Sequence, residues 1–260
     1  EEQKFGYTES IGTIELRNKV SNHYKKNYDI DISLENVAIT TGASAGIFMS
    51  LLCLFEKGSF IAITRPGYPA YKNIIKALDL RVYYIDTFEE NNFQLTTNVV
   101  NDLPDNIKGI IISSPSNPCG GIISDNEMFN ILKICKSKSI KVISDEIYHK
   151  VEYKKKKLNT AFNFNTNSIV INSFSKYFLM TGYRLGWIIG DNIYETYRQG
   201  GEVFGSFARF GELKIHLAMV QWQRMTHRNQ ISSAFRRLNA RNPGRSQHVA
   251  LGDLIPAHQL

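Results

Sequence analysis

The chain has 260 residues, of which 43% are hydrophobic, 21% charged and 12% aromatic. That composition is typical of a globular protein, and no apolar run reaches the roughly 18 residues that a membrane helix requires. The net charge of +7 is concentrated from Ser206 onward, where eight basic and two acidic residues give +6 and leave +1 for residues 1–205. A nearly neutral body gives no reason to expect nucleic-acid binding.

Short apolar strands alternate with helical patterns along the first 190 residues. The predicted strands lie at 36–40, 60–64, 81–85, 109–113, 141–144, 168–173 and 185–190, and the clearest helices at 44–55, 69–78 and 125–138. The strands are continuous apolar runs, which indicates a sheet that is buried on both faces. Strand–helix alternation predicts an α/β domain of three α/β/α layers around a mostly parallel sheet.

The start of the chain and its cysteines bear on its compartment. The sequence "EEQKFGYTES" is acidic and polar, unlike a signal peptide, and it lacks an initiator Met, so we expect the chain to begin inside a longer gene product. The three cysteines are odd in number and lack the spacing of metal ligands. We therefore expect reduced thiols, no metal site and a cytoplasmic location.

Polar clusters follow five of the predicted strands. They read "TGAS", "RPGYP", "SPSNPCGG", "SDEIY" and "NSFSK" in chain order. In open α/β sheets, ligands bind beyond the carboxyl ends of the strands. These clusters are therefore the first place to look for a binding site.

Groups in these clusters, together with the nearby Arg184, suit an aldehyde that carries a phosphate. The amine of Lys176 is able to form a Schiff base with an aldehyde. The guanidinium of Arg184 binds phosphate as a planar fork, and Ser173 adds a hydroxyl. The helix that begins at Ala43–Ser44 offers backbone amides to an anion.

Asp145 and three neighbouring side chains suit an aromatic ring. Asp145 follows an apolar strand, and a buried carboxylate needs a partner such as a protonated pyridine nitrogen. Tyr148 and Asn117 are able to hydrogen-bond a phenolic oxygen, and Tyr68 offers a flat face to a ring. His149 is expected to be a surface residue.

Five boxes in order resemble a known family. They are "YTESIGTIELR", "RPGYPAY", "SPSNPCG" with its N-P-x-G, "SDEIY" with its D-E-x-Y, and "SFSKYFLMTGYRLG" with its lysine and later R-x-G. Together they resemble class I aminotransferases of the pyridoxal-phosphate-dependent fold type I superfamily. The resemblance covers roughly residues 5–190.

The resemblance implies a role for each residue around the ring of pyridoxal 5′-phosphate. Lys176 is expected to form the Schiff base with the cofactor and then to move a proton at the substrate Cα. Asp145 would pair with the pyridine nitrogen, and Asn117 and Tyr148 would hold the ring hydroxyl. Tyr68 would stack on the ring. Asp145 and Lys176 are thus expected to be two buried charges at strand ends.

The resemblance also implies a phosphate site and a dimer. The amides of Ala43 and Ser44, the Ser44 hydroxyl, Ser173 and Arg184 would bind the phosphate. Tyr7 matches a tyrosine that reaches the phosphate of the neighbouring subunit in family dimers. A homodimer with composite sites is therefore expected.

The resemblance fades near residue 190. Residues 1–190 are predicted to form the pyridoxal-phosphate-binding large domain. Residues 191–260 turn rich in Arg, Gln and His and are predicted to be an unassigned tail, out of frame or foreign in origin. The small C-terminal domain, which in this family holds the arginine that grips the substrate carboxylate, is not recognisable.

The expected activity is transfer of an amino group between an amino acid and a 2-oxo acid. The cofactor boxes leave two alternatives open. One is another fold type I enzyme, such as a β-eliminating C–S lyase or a cyclopropane-forming synthase. The other is a truncated, inactive gene product that binds the cofactor weakly or not at all.

Overall fold

The computed structural model describes residues 9–152, 158–165, 167–191 and 193, and its centre is a seven-stranded sheet with the order β1-β7-β6-β5-β4-β2-β3. The strands are β1 (Val37–Thr40), β2 (Phe60–Arg65), β3 (Arg81–Asp86), β4 (Ile107–Ser113), β5 (Lys141–Asp145), β6 (Ile169–Ser173) and β7 (Gly186–Ile189). Neighbours run parallel except at β7, which is antiparallel to both β1 and β6. The prediction of a mostly parallel α/β sheet is confirmed.

Helices pack against this sheet and bury most of its strands. They are α1 (Ile14–Tyr28), α2 (Ala43–Leu54), α3 (Pro69–Ala77), α4 (Thr97–Asn101), α5 (Asp125–Ser137) and α6 (Ala161–Phe164), with 3₁₀ turns at Leu34–Asn36, Glu89–Asn91 and Thr181–Tyr183. Every residue of β1, β6 and β7 is buried. Helix α2 places Ile47 and Leu51 in the same core cluster as Ile171 and Ile188 of the sheet, which accounts for the unbroken apolar runs of the strands.

Helix α1 is an element that the apolar runs do not predict. Most of its surface is polar, but the buried residues Leu16, Val20, Tyr24 and Tyr28 recur every four positions. That spacing places them on one face of a helix. Tertiary packing of this face, rather than overall hydrophobicity, stabilises α1.

Strand β7 starts at the edge of the sheet where β1 and β6 end. Gly186 is opposite Thr40 in one register and opposite Ser173 in the other. A Cβ on Gly186 would lie 2.8 Å from the Asn172 carbonyl oxygen and 2.9 Å from the Ala43 nitrogen. Only glycine therefore fits where the start of α2 approaches the end of β6.

The described residues also bear on three of the other expectations. None of their helices has the length and apolar character needed to cross a membrane, and they contain no cluster of side chains able to hold a metal ion. Cys53, Cys119 and Cys135 are free. The predicted tail at 191–260 lies outside the described residues except for Asp191 and Ile193.

Candidate active site

The predicted site residues meet where the parallel strands end. We call this the carboxyl edge of the sheet, and it is defined by the strand-terminal residues Thr40, Arg65, Ser113, Asp145 and Ser173. The five polar clusters follow these strands directly. The antiparallel β7 starts at the same edge, so the segment before it brings Arg184 to the others.

Asp145 is a buried carboxylate at the end of β5. Its side chain is only 4% exposed. The Tyr71 hydroxyl donates to Oδ2 at 2.5 Å and the Ile147 amide donates to Oδ1 at 3.1 Å. Burial raises the pKa of Asp145, and these two hydrogen bonds oppose the rise. Both partners are neutral groups. Among the described residues, no cation is bonded to this carboxylate to compensate its loss of solvation.

Asn117 and Tyr148 form a pair beside Asp145. The Asn117 amide donates from Nδ2 to the Tyr148 hydroxyl at 3.1 Å, and both side chains are half-buried. Burial and, after it, the negative charge of Asp145 raise the pKa of Tyr148. The phenol therefore keeps its proton at neutral pH and is able to donate it to a bound acceptor.

Lys176 lies in the loop after β6 and faces this pair. Its Nζ atom is 5.6 Å from the centre of the Tyr148 ring. The expectation that Lys176 is a buried charge is wrong, because the residue is exposed. Its position three residues beyond the buried end of β6 leaves the side chain at the rim of the carboxyl edge, with its amine open to an incoming group.

Arg184 and the start of α2 make the cationic part of the edge. Gly42 precedes α2 with a φ of +88°, and a Cβ there would lie 2.8 Å from Nη2 of Arg184. The Nη1 atom of the guanidinium donates to the Thr181 carbonyl at 3.1 Å. The first-turn amides of Ala43 and Ser44 have no carbonyl partner within the helix, so amides and a guanidinium converge on one small volume.

Ser173 ends β6, and Tyr68 lies between β2 and α3. Ser173 is 1% exposed, and its hydroxyl accepts a hydrogen bond from the Ser175 amide at 3.1 Å. Tyr68 is 36% exposed, and its ring meets the Tyr71 ring edge-on at 5.4 Å between centroids. Tyr71 in turn holds Asp145, so a flat and accessible aromatic face lies near the buried carboxylate. Tyr7 lies outside the described residues.

Comparison with known proteins identifies the family. The sequence profile of aminotransferase class I and II proteins matches residues 2–237. The chain belongs to this family. It is 35% identical over 187 residues to the valine–pyruvate aminotransferase of Mycobacterium tuberculosis, and 38% identical over 194 residues to the (5-formylfuran-3-yl)methyl phosphate transaminase of Methanocaldococcus jannaschii. The resemblance drawn from the sequence boxes is confirmed.

Solved aminotransferases share the fold. A crystal structure of an aminotransferase from Mycobacterium tuberculosis matches with a TM-score of 0.78 at 32% identity, covering 84% of this chain and 56% of the other. The alanine aminotransferase of Pyrococcus furiosus matches with a TM-score of 0.69 at 27% identity, covering 80% and 53%. The two curated relatives named above are covered to 48% and 49%. The chain thus spans about half the length of the relatives it matches.

Two residues of this aminotransferase fold were not assigned from the sequence. Tyr71 is the last residue of the box "RPGYPAY". Apart from membership of that box, nothing in the sequence indicates its hydrogen bond to Asp145. Glu146 is 2% exposed, and its Oε1 accepts from the Ser144 hydroxyl, the Thr160 hydroxyl and the Ala161 amide at 3.2, 3.0 and 2.7 Å. Burial raises the pKa of Glu146 to about 7.

The expectation that His149 is a surface residue is also wrong. Its side chain is buried, with 6% of the residue exposed. The residue follows Tyr148 directly, and its ring nitrogens contact Tyr28 and the Ser114 carbonyl. Polar neighbours in "EIYHK" gave no sign of this, because the face that covers His149 comes from α1, far away in the sequence.

Proposed function

We propose that this chain forms the cofactor-binding part of a pyridoxal 5′-phosphate-dependent aminotransferase. The observation that carries the proposal is Asp145, which is buried at the same edge as Lys176 and Arg184 and is bonded only to neutral donors in the described structure. A buried carboxylate is strongly stabilised by a cation. A protonated pyridine nitrogen supplies such a cation, and the family match supports this cofactor.

The residues around Asp145 fit the ring of this cofactor. When bound, pyridoxal 5′-phosphate supplies an aldehyde that condenses with amines and a ring that accepts electrons from the substrate Cα. Lys176 offers the exposed amine at the rim, where it would accept and return a proton at the substrate Cα. Asn117 and Tyr148 offer donors to the ring hydroxyl, and Tyr68 covers one face of the ring.

The opposite end of the site fits the phosphate group. Arg184 and the amides of Ala43 and Ser44 combine a positive charge with the start of a helix, which favours an anion. The hydroxyls of Ser44 and Ser173 add polar contacts. Ala43 and Ser44 start the helix after β1, Ser173 ends β6, and Arg184 precedes β7, whereas Asn117 and Asp145 belong to β4, β5 and the loops after them. The phosphate contacts and the contacts to the ring hydroxyl and ring nitrogen therefore come from different strands.

The substrates in this proposal are an amino acid and a 2-oxo acid. Residues 1–190 would bind the cofactor, and Tyr7 would reach the phosphate in the second subunit of a homodimer. Other enzymes that use the same cofactor need the same ring and phosphate contacts. The choice of transamination rests on the named functions of the relatives, which are a valine–pyruvate aminotransferase and a transaminase.

Chemical trapping tests the cofactor site in this chain. The protein is incubated with pyridoxal 5′-phosphate, treated with borohydride and digested, and the labelled peptide is identified by mass spectrometry. We expect the label on Lys176 and its loss in Lys176→Ala. The matched control is Lys150→Ala, which removes another lysine that lies near an aromatic ring, 5.3 Å from the centre of Tyr177, and is expected to leave the label in place. Equal labelling of Lys176→Ala would overturn the assignment.

A second measurement tests the reaction type. Single-turnover experiments with a panel of amino acids are followed by quantifying the 2-oxo acid and the form of the cofactor. Transamination leaves one equivalent of 2-oxo acid and the cofactor as its amine. Release of ammonia or a thiol with the cofactor aldehyde restored would identify an eliminating enzyme instead.

A further inference from the structure

The buried imidazole of His149 links the loop after β5 to two other segments of the chain. Its Nε2 lies 3.0 Å from the Ser114 carbonyl oxygen, and its Nδ1 lies 2.9 Å from the Tyr28 hydroxyl. Ser114 belongs to the loop after β4, and Tyr28 is the last residue of α1, 121 residues before His149. Three separate segments of the chain therefore meet at one buried imidazole.

The protonation pattern of this bridge follows from its partners. A carbonyl oxygen only accepts, so Nε2 of His149 carries the proton that is donated to Ser114. Burial lowers the pKa of His149 to about 4, so the ring is neutral at pH 7 and its Nδ1 is an acceptor. Tyr28 then donates its hydroxyl proton to Nδ1. Each nitrogen has one hydrogen-bond partner, and Nδ1 also lies 3.6 Å from Oε2 of Glu146, a second buried neighbour. The two hydrogen bonds fix the ring in orientation and tautomer.

The bridge joins the two segments that carry Asn117 and Tyr148. His149 is the residue after Tyr148, and Ser114 is three residues before Asn117. The Asn117–Tyr148 hydrogen bond of 3.1 Å links the same two loops. The imidazole and the Asn117–Tyr148 contact therefore form two rungs between the loops that follow β4 and β5.

We propose that His149, oriented by Tyr28, is a positioning residue that sets the separation of Asn117 and Tyr148 and thereby their grip on the ring hydroxyl of the cofactor. The proposal rests on the function proposed above. It assigns His149 no contact with the cofactor or the substrate. Its effect is specific to one atom of the ligand, the ring hydroxyl oxygen, and this makes it separable from a general loss of structure.

The test compares two ligands that differ only at that atom. Dissociation constants for pyridoxal 5′-phosphate and for its 3-deoxy analogue, which lacks the ring hydroxyl, are measured by calorimetry on the full chain. For His149→Leu we expect about a tenfold loss of affinity for pyridoxal 5′-phosphate and little change for the analogue. His149→Gln keeps a donor and an acceptor on a side chain of similar reach and is expected to restore most of the difference.

Two tyrosines of α1 give a matched pair of controls. Tyr28→Phe removes the hydroxyl that orients His149 and is expected to give part of the loss, about threefold. Tyr24→Phe removes a buried hydroxyl one turn earlier, which accepts from Trp187 Nε1 at 3.2 Å, and is expected to leave the preference for the ring hydroxyl unchanged. Thermal unfolding of each variant checks that it is folded.

The outcomes separate this proposal from the proposed function. Equal losses for both ligands in His149→Leu and Tyr28→Phe would show a merely structural role and overturn the inference alone. Failure of the unaltered chain to bind either ligand would overturn the proposed function, and the inference would fall with it. Without any cofactor, nitrogen NMR of the imidazole is expected to show the Nε2–H tautomer at neutral pH, and the opposite tautomer would contradict the bridge.

Discussion

Two aspartates end parallel strands of the same sheet in different surroundings. Asp145 ends β5, is 4% exposed and is bonded to Tyr71 and a backbone amide. Asp86 ends β3 at the rim of the sheet, and its two oxygens accept from Nε and Nη2 of Arg65 at 2.6 and 2.8 Å, with the side chains about half exposed. The pKa of Asp145 is raised, chiefly by burial, whereas the pKa of Asp86 is lowered, chiefly by the hydrogen bond from Arg65.

Asp145 is a buried carboxylate whose bonded partners are neutral, whereas Asp86 is an exposed carboxylate paired with a cation, Arg65. The exposed pair gains little, because solvent screens the charges. The buried carboxylate has lost its solvation, and a ligand cation placed against it gains much more. Substitutions at and around the two aspartates are therefore expected to have effects of different size on cofactor affinity and on stability.

The largest effect is expected for Asp145→Ala. Removing one partner of a buried ion pair typically costs about 3–5 kcal/mol, so the affinity for pyridoxal 5′-phosphate is expected to fall by at least about a hundredfold. Calorimetric titration measures the dissociation constant, and exchange of the substrate Cα proton with deuterated water is expected to slow as well. A dissociation constant within about threefold of the unaltered chain would show that Asp145 has only a structural role.

Glu146→Gln tests the second buried carboxyl group, which is bonded to Ser144, Thr160 and Ala161. The pKa of Glu146 is about 7 in the folded chain against an ordinary 4.5, so between these values the folded state binds more protons than the unfolded one. Stability from Glu146 is therefore complete below about pH 4.5 and lost as pH rises to 7. Glutamine has no proton to lose, so the variant is expected to gain on the unaltered chain with rising pH, by up to about 3 kcal/mol.

Urea unfolding at about pH 5 and about pH 8 measures this gain. The comparison uses the difference between variant and unaltered chain, which cancels groups that titrate alike in both. His149 is not one of these groups, because its Nδ1 lies 3.6 Å from Oε2 of Glu146. His149 contributes in the opposite direction, because its pKa is lowered to about 4 and its stability is lost as pH falls. A difference that stays constant between the two pH values would contradict the raised pKa of Glu146.

Tyr71→Phe tests the neutral partner of Asp145. The substitution removes the hydroxyl that donates to Oδ2 at 2.5 Å, and a hydrogen bond to a charged group contributes about 1.5–3 kcal/mol. We expect a loss of about 2 kcal/mol in the free energy of unfolding and a further rise in the pKa of Asp145. Tyr68→Phe is the control, since Tyr68 is in the same box but 36% exposed. Equal losses in the two variants would mean that the bond to Asp145 contributes nothing.

The sequence predicts those features of the molecule that depend on local pattern. Strand β4 contains the apolar run Gly109–Ile112, which is fully buried, and such a run indicates a buried parallel strand. The placement of Asp145 and Asn117 follows, because the residues after parallel strands collect at one edge of the sheet. These two residues meet because β4 and β5 are neighbours in the sheet.

Features that depend on distant packing are not predicted in this way. Helix α1 is polar overall, and only its four-residue spacing of buried side chains marks it. His149 contacts Tyr28 of that helix. Because α1 is not predicted, the burial of His149 is not predicted either. The predicted burial of Lys176 is wrong for a related reason. The chemistry of this residue indicates a site, but its exposure is set by the length of the loop after β6.

The smallest effect is expected for Asp86→Ala at the rim. The substitution breaks the two hydrogen bonds to Arg65, whose guanidinium also lies 5.1 Å from the centre of the Tyr84 ring. Because both charges are exposed, the melting temperature is expected to change by less than about 2 °C, and the change is expected to shrink further in high salt. Calorimetric melting of Asp86→Ala, Arg65→Ala and the double variant at low and high salt measures the coupling. If Asp86→Ala destabilised the chain as much as Tyr71→Phe does, burial would not be what distinguishes these two strand-terminal aspartates, and the reason for assigning a ligand cation to Asp145 would be lost.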